Sequence, residues 1–142
     1  MTTRKQIDQF RHFNRFYTNY IGLLDNSIYD SPVNLTEARI LYELDSRPGS
    51  SAKELRQRLS LDKGYLSRLL KRCVSQGWIK GSTSSKDARI RELNLTADGK
   101  HLMEKLHAQA AAQAEKALSH LSHDDRHQLL AAMDTIEKTL AP

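Results

Sequence analysis

Ser60-Leu61-Asp62-Lys63-Gly64-Tyr65-Leu66-Ser67-Arg68-Leu69-Leu70-Lys71-Arg72-Cys73-Val74-Ser75-Gln76-Gly77-Trp78 is the stretch on which the reading of this chain turns. Asp62 is placed to cap a helix, because its carboxylate can accept from the free N–H groups of a first turn. Gly77 suits the left-handed residue that stops one. Between them Leu66, Leu69, Leu70, Cys73 and Val74 recur at helical spacing. Lys63, Tyr65, Ser67, Arg68, Lys71 and Arg72 are left on the opposite face. The pattern predicts a helix over 62–76, apolar within and basic without.

The neighbouring segments place this helix in a recognisable order. Residues 51–59 set Ala52, Leu55 and Leu59 on one side and Lys53, Arg56 and Arg58 on the other, and Ser60-Leu61-Asp62 makes a tight connection. After Gly77 the period shortens: Trp78-Ile79-Lys80 and Ile90–Leu95 read as strands, the second alternating apolar and polar residues. The small, polar loop 81–89 joins them. A helix-turn-helix followed by such a hairpin predicts a winged helix, with the hairpin as its wing.

Longer helices flank it. Ile7, Phe10, Phe13, Tyr17, Ile21, Leu24 and Ile28 form one stripe over residues 4–29, which Asp30-Ser31-Pro32 breaks. A helix after Leu35 turns Ile40, Leu41 and Leu44 inward and ends at Arg47-Pro48-Gly49. Leu102, Met103, Leu106, Ala110, Ala114, Ala117 and Leu121 line a helix from residue 97. Ser122-His123-Asp124-Asp125 starts another, carrying Leu129, Leu130, Met133, Ile136 and Leu140. The expected fold class is mainly α: a single domain over 1–142, with a winged helix-turn-helix core at 35–95 and a small β-hairpin wing. The apolar stripes of 4–30 and 97–140 exceed what so compact a centre can cover. They read as dimerisation helices, so the expected partner is a second copy of the chain.

Charge is segregated along the sequence. Residues 51–91 hold eleven Lys/Arg against three acids, whereas the rest has eleven bases and fourteen acids. A solvated surface would mix the signs, so this block points to a polyanion, most simply double-stranded DNA. The single cysteine cannot form an internal disulfide, and no signal peptide or membrane-length apolar run is seen. A cytoplasmic location is expected. With no phosphate loop, nucleophile elbow or paired-carboxylate motif, neither an enzyme nor a cofactor is expected.

Within the predicted helix, Arg68 suits a bidentate contact to a guanine edge, and Lys63 and Tyr65 suit a base or phosphate. Ser67 offers a short hydroxyl close to the duplex. Lys71 and Arg72 lie further along and suit phosphates. Ser51 joins this DNA-contact set from the start of the preceding helix. In the wing, Arg89 suits the minor groove and Lys86 the phosphates. Asp87 repels DNA by its charge, so its useful role is to hold Arg89 by a charge-assisted bond.

These residues carry a family likeness. Leu66-Ser67-Arg68-Leu69-Leu70, Gly77-Trp78-Ile79, Asp87-Ala88-Arg89 and Leu93-Asn94-Leu95-Thr96-Ala97-Asp98-Gly99 resemble the multiple-antibiotic-resistance regulator (MarR) family over nearly the whole chain. The resemblance implies a dimeric transcriptional regulator, usually a repressor, on a pseudo-palindromic operator. It also implies a small-molecule effector, phenolic, lipophilic or oxidant, that lowers DNA affinity. Phe13–Tyr17, Ile21–Asp25 and Leu35–Arg39 further resemble the regulator domain of a subgroup fused to a GNAT acetyltransferase. The chain is then expected to be a stand-alone relative or an excised regulator domain.

Other readings compete at particular residues. Cys73 is expected to be a packing residue on the inner face of its helix rather than an oxidant sensor. His120, His123 and His127 cluster in sequence, but the cap at Ser122 interrupts them and no metal site is expected. Arg11, His12, Tyr42 and Trp78 are candidate effector-pocket residues on aromatic or basic character alone. A sequence-independent architectural nucleic-acid-binding protein would use the same positive charge without an oriented helix or a two-fold dimer.

Overall fold

The computed structural model describes residues 1–22, 28 and 31–142. Six helices and a two-stranded hairpin are formed among them: α1 (Arg4–Tyr20), α2 (Leu35–Ser46), α3 (Ala52–Leu59), α4 (Lys63–Ser75), β1 (Ile79–Thr83), β2 (Arg91–Leu95), α5 (Ala97–Ser119) and α6 (His123–Leu140). The fold is the mainly helical winged helix expected from the sequence. Two compact units, Met1–Leu106 and His107–Pro142, divide the chain, with the boundary inside α5.

Side-chain caps start most of the helices. Thr3, Asn34 and Ser51 each form a reciprocal capping box with the third helical residue, Gln6, Glu37 and Glu54 respectively. Asp62 accepts from the Tyr65 N–H at 3.1 Å, and Ser122 from that of Asp125 at 3.1 Å. Gly77, at φ 83°, follows the Gln76 C-cap and turns the chain into the wing.

α1 ends nine residues short of the expected helix over 4–29. Ile21 is its C-cap, and Gly22 at φ 71° takes the chain out of helical geometry. Leu24 of the predicted stripe and Asp30 of the predicted break lie outside the described residues. Ile28 is buried, its N–H donating to the Val33 carbonyl at 2.9 Å.

The hairpin pairs antiparallel, Ile79 opposite Leu95 and Thr83 opposite Arg91. It starts after Trp78 and runs to Thr83, longer than the expected 78–80, because the polar residues Ser82 and Thr83 continue the ladder. Ile90, expected in the second strand, is exposed and precedes it. Ser50 adds a bridge to Leu93, whose N–H donates to the Ser50 carbonyl at 2.9 Å and whose carbonyl accepts from the Gly49 N–H at 3.0 Å, which ties the α2–α3 connection to the wing. The core of the first unit gathers Val33, Ile40, Leu41, Leu44, Leu55, Leu66, Leu69, Cys73, Ile79 and Leu93, with Leu102, Met103 and Leu106 from the start of α5. Val74 departs from its expected inward position and is half exposed, because it falls at the edge of the apolar stripe.

The turn from β2 into α5 explains Leu95-Thr96-Ala97-Asp98-Gly99. The Thr96 hydroxyl donates to the Gly77 carbonyl and accepts from the Gly99 N–H, while the Thr96 N–H donates to the Trp78 carbonyl at 3.0 Å. A Cβ on Gly99 would collide with that Trp78 carbonyl oxygen. Glycine therefore lets α5 abut the backbone that leaves α4.

Candidate nucleic-acid interface

The outward face of α4 is the centre of the site. Its cap at Asp62 holds the first turn, and Leu66, Leu69 and Cys73 anchor the opposite face in the core. Lys63, Tyr65, Ser67, Arg68 and Lys71 are exposed. The Arg68 guanidinium carbon lies 5.8 Å from the Tyr65 ring centroid, a cation–π distance that limits where the arginine can swing. A Cβ on Gly64 would sit 3.3 Å from Asp62 Oδ2 and in ordinary contact with Arg68 Nη1 at 3.6 Å.

A groove of about 620 Å³ runs beside this helix, between α3, α4 and β2. Lys53, Arg56, Lys63, Lys71 and Arg91 line it with Ser67, above Leu66, Leu70, Val74 and Leu93. Lys53, Arg56 and Arg91 belong to the basic block of residues 51–91, but their position in the sequence alone points to no role. Their convergence depends on the α3–α4 turn and the hairpin register, which no local pattern carries. Arg58, on the same short helix, is instead engaged by Glu43 at 3.3 Å, Glu54 at 2.9 Å and the Ser50 hydroxyl at 3.0 Å.

The wing tip is ordered from within. Buried Ser84 accepts from the backbone N–H groups of Lys86 and Asp87, and its own N–H donates to the Ile90 carbonyl at 2.9 Å. Asp87 accepts from Arg89 Nε at 3.1 Å, Nη2 at 3.1 Å and the backbone N–H at 3.0 Å. These bonds from the Arg89 side chain, then its backbone, hold the Asp87 carboxyl below the usual aspartate range. Arg89 itself is 88% exposed, so its direction is set while its outer edge stays open.

Ser51, half-buried, serves as the α3 cap, its hydroxyl accepting from the Glu54 N–H at 3.2 Å. The Arg72 side chain, 44% exposed, also has partners within the fold. It pairs with buried Glu37 of α2, donates to the Pro32 carbonyl and lies over the Trp78 ring. A buried carboxylate needs a cation, and Arg72 is the basic residue that reaches it. Of the effector-pocket candidates, Arg11 and His12 are exposed on α1, Tyr42 is exposed on α2, and Trp78 is buried beneath Arg72. None of the four lines the groove. Cys73 is fully buried, and burial first, then the Glu37 charge, pushes its thiol up to about 12. Among the described residues, no group of His, Cys, Asp and Glu is arranged to hold a metal ion. Nor is any helix of those residues long and apolar enough to cross a membrane.

Comparison with known proteins bears on this geometry. The family model described as "MarR family" matches residues 31–90. The HTH-type transcriptional regulator BilQ of Clostridium symbiosum is 30% identical over 96 residues, covering 68% of this chain and 67% of the relative. The chain belongs to the MarR family. The multiple antibiotic resistance protein MarR of Salmonella typhimurium is 26% identical over 129 residues, 90% of this chain and 82% of that one. Among solved structures, a mutant MarR from E. coli complexed with operator DNA superposes with a TM-score of 0.79 at 22% identity, covering 97% of this chain and 96% of that chain. At that identity the superposition speaks for the fold alone. As a MarR-family winged-helix transcriptional regulator, the chain carries its basic face on the helix-turn-helix and wing.

Proposed function

We propose that this MarR-family regulator is a homodimeric, ligand-responsive repressor that reads a pseudo-palindromic operator. One observation carries the reading: Arg68 is exposed on a capped, core-anchored helix beside a wing whose Arg89 is aimed by Asp87. Arg68 reads a base edge in the major groove. Lys63, Tyr65, Ser67 and Lys71 complete the α4 contact, and Lys53, Arg56 and Arg91 of the adjoining groove face phosphates. Arg89 enters the minor groove, with Lys86 and Ser51 against the backbone.

Support for the dimer comes from apolar side chains left in water. Phe10, Phe16 and Tyr20 of α1 are 53%, 58% and 61% exposed, and Leu130 and Leu140 of α6 are 51% and 59% exposed. A second copy covers such stripes. Family membership supports release by a small molecule, and a buried Cys73 of raised pKa argues against that thiol as the sensor.

Selection of bound duplexes from a random pool tests the reading, repeated with Arg68→Ala and Arg89→Ala. An inverted repeat is expected from the native chain. Arg68→Ala loses sequence preference, and Arg89→Ala loses affinity. Indifference to both substitutions sinks the assignment, and enrichment of no sequence favours an architectural protein.

A further inference from the structure

Arg72 lies on α4, and its guanidinium finds its partners outside that helix. Nη1 pairs with Glu37 of α2, Nη2 donates to the Pro32 carbonyl at 2.9 Å, and the guanidinium carbon lies 5.7 Å from the Trp78 ring centroid. Glu37 is 2% exposed, and its second oxygen accepts from the Asn34 N–H at 3.0 Å. Both partners are thus held on two sides. Apolar contacts through Leu66, Leu69 and Cys73 hold one face of α4 against the core. A planar guanidinium shared between two acceptors and a ring has one orientation.

We infer that the Arg72–Glu37 pair sets the rotation of α4 about its axis and thereby aims Arg68, one helical turn earlier, at its base. Arg72 is a positioning residue and not a phosphate contact. The inference rests on the reading above that α4 reads base edges. A rotation of about 15° moves the surface of a helix by about 1.5 Å. A preorganised contact tolerates roughly 0.5 Å.

The test is titration of the full chain against its selected operator and a random duplex over a series of salt concentrations. For Arg72→Gln the operator-to-random affinity ratio falls about tenfold, the order of one mismatched base pair, while the salt slope on random duplex stays unchanged. Lys71→Gln instead lowers that slope by about 0.9, as the loss of a phosphate contact requires. Because Arg72→Gln leaves Glu37 buried and unpaired, the double variant Arg72→Met with Glu37→Leu is measured beside it. Apolar packing there replaces the pair and keeps the fold, with emission from Trp78, the only tryptophan, reporting that the ring stays buried. The ratio falls in this variant too. A double variant with the native ratio, or a slope reduced by about one unit in Arg72→Gln, overturns the inference. A native chain that prefers no operator removes the base-reading role of α4 and this inference with it.

Discussion

Ile40, Leu41, Leu44 and Leu55 of the winged-helix segment are at most 1% exposed, whereas α1 and α6 contain no buried residue. Both regions contain amphipathic helices with apolar stripes. The difference lies in what faces the stripe. In the centre, α2, α3, α4 and the hairpin wrap one another, and caps and ion pairs satisfy the polar groups at the seams. In α1, the rings of Phe13, Tyr17 and Tyr20 stack on each other along the helix, 5.8 and 6.2 Å apart. The winged helix completes itself. Apolar residues of the terminal helices stay exposed, and the proposed dimer rests on them.

Breaking that comparison requires substitutions on each side of it. The largest effect is expected from Leu130→Glu with Met133→Glu in α6, which places two charges in the proposed dimer seam. Association should weaken by about 4 kcal/mol or more, read by sedimentation, while the first unit keeps its thermal transition. A dimer of unchanged affinity would remove α6 from the seam. Gly99→Ala probes the self-contained side, where a methyl must displace the Trp78 backbone. A loss of about 3 kcal/mol in unfolding free energy is expected, and a denaturant midpoint equal to the native one would refute the close approach.

A smaller change is expected at the wing. Arg89→Ala should weaken operator binding about tenfold at fixed salt, and Asp87→Asn less, because it loosens Arg89 without removing it. Equal losses in the two variants would mean that orientation matters as much as charge. The smallest effect concerns Cys73, whose thiol is raised from 9.0 to about 12 in the folded chain. A folded pKa above the unfolded one leaves stability intact below pH 9.0 and erodes it as pH rises toward 12. Between pH 8 and pH 10 the native chain should lose about 1 kcal/mol more than Cys73→Ala does. Identical alkaline melting curves would contradict the burial.

Much of this fold was legible because its signals are local. Asp62, Ser122 and Gly77 act on groups within a few residues of themselves, and the structure uses each as its position suggests. The change of period after Gly77 announced the wing. The Asp87-Ala88-Arg89 pairing spans two residues and could be argued from charge alone. Val74 and Ile90 were misplaced because each sits at the margin of a stripe, where a pattern does not say how far neighbours reach.

For the candidate site, the chain itself determined the basic block, the capped helix that displays Arg68, and the oriented wing arginine. Those follow from residue type and spacing along one element. Tertiary structure decided which cations meet. It brought Lys53 and Arg56 of α3 and Arg91 of β2 to one groove and joined Arg72 to Glu37, 35 residues away. A helical face shows which side chains leave it on the same side. Only folding shows which of them meets a buried carboxylate, and desolvation makes that partner the one it keeps.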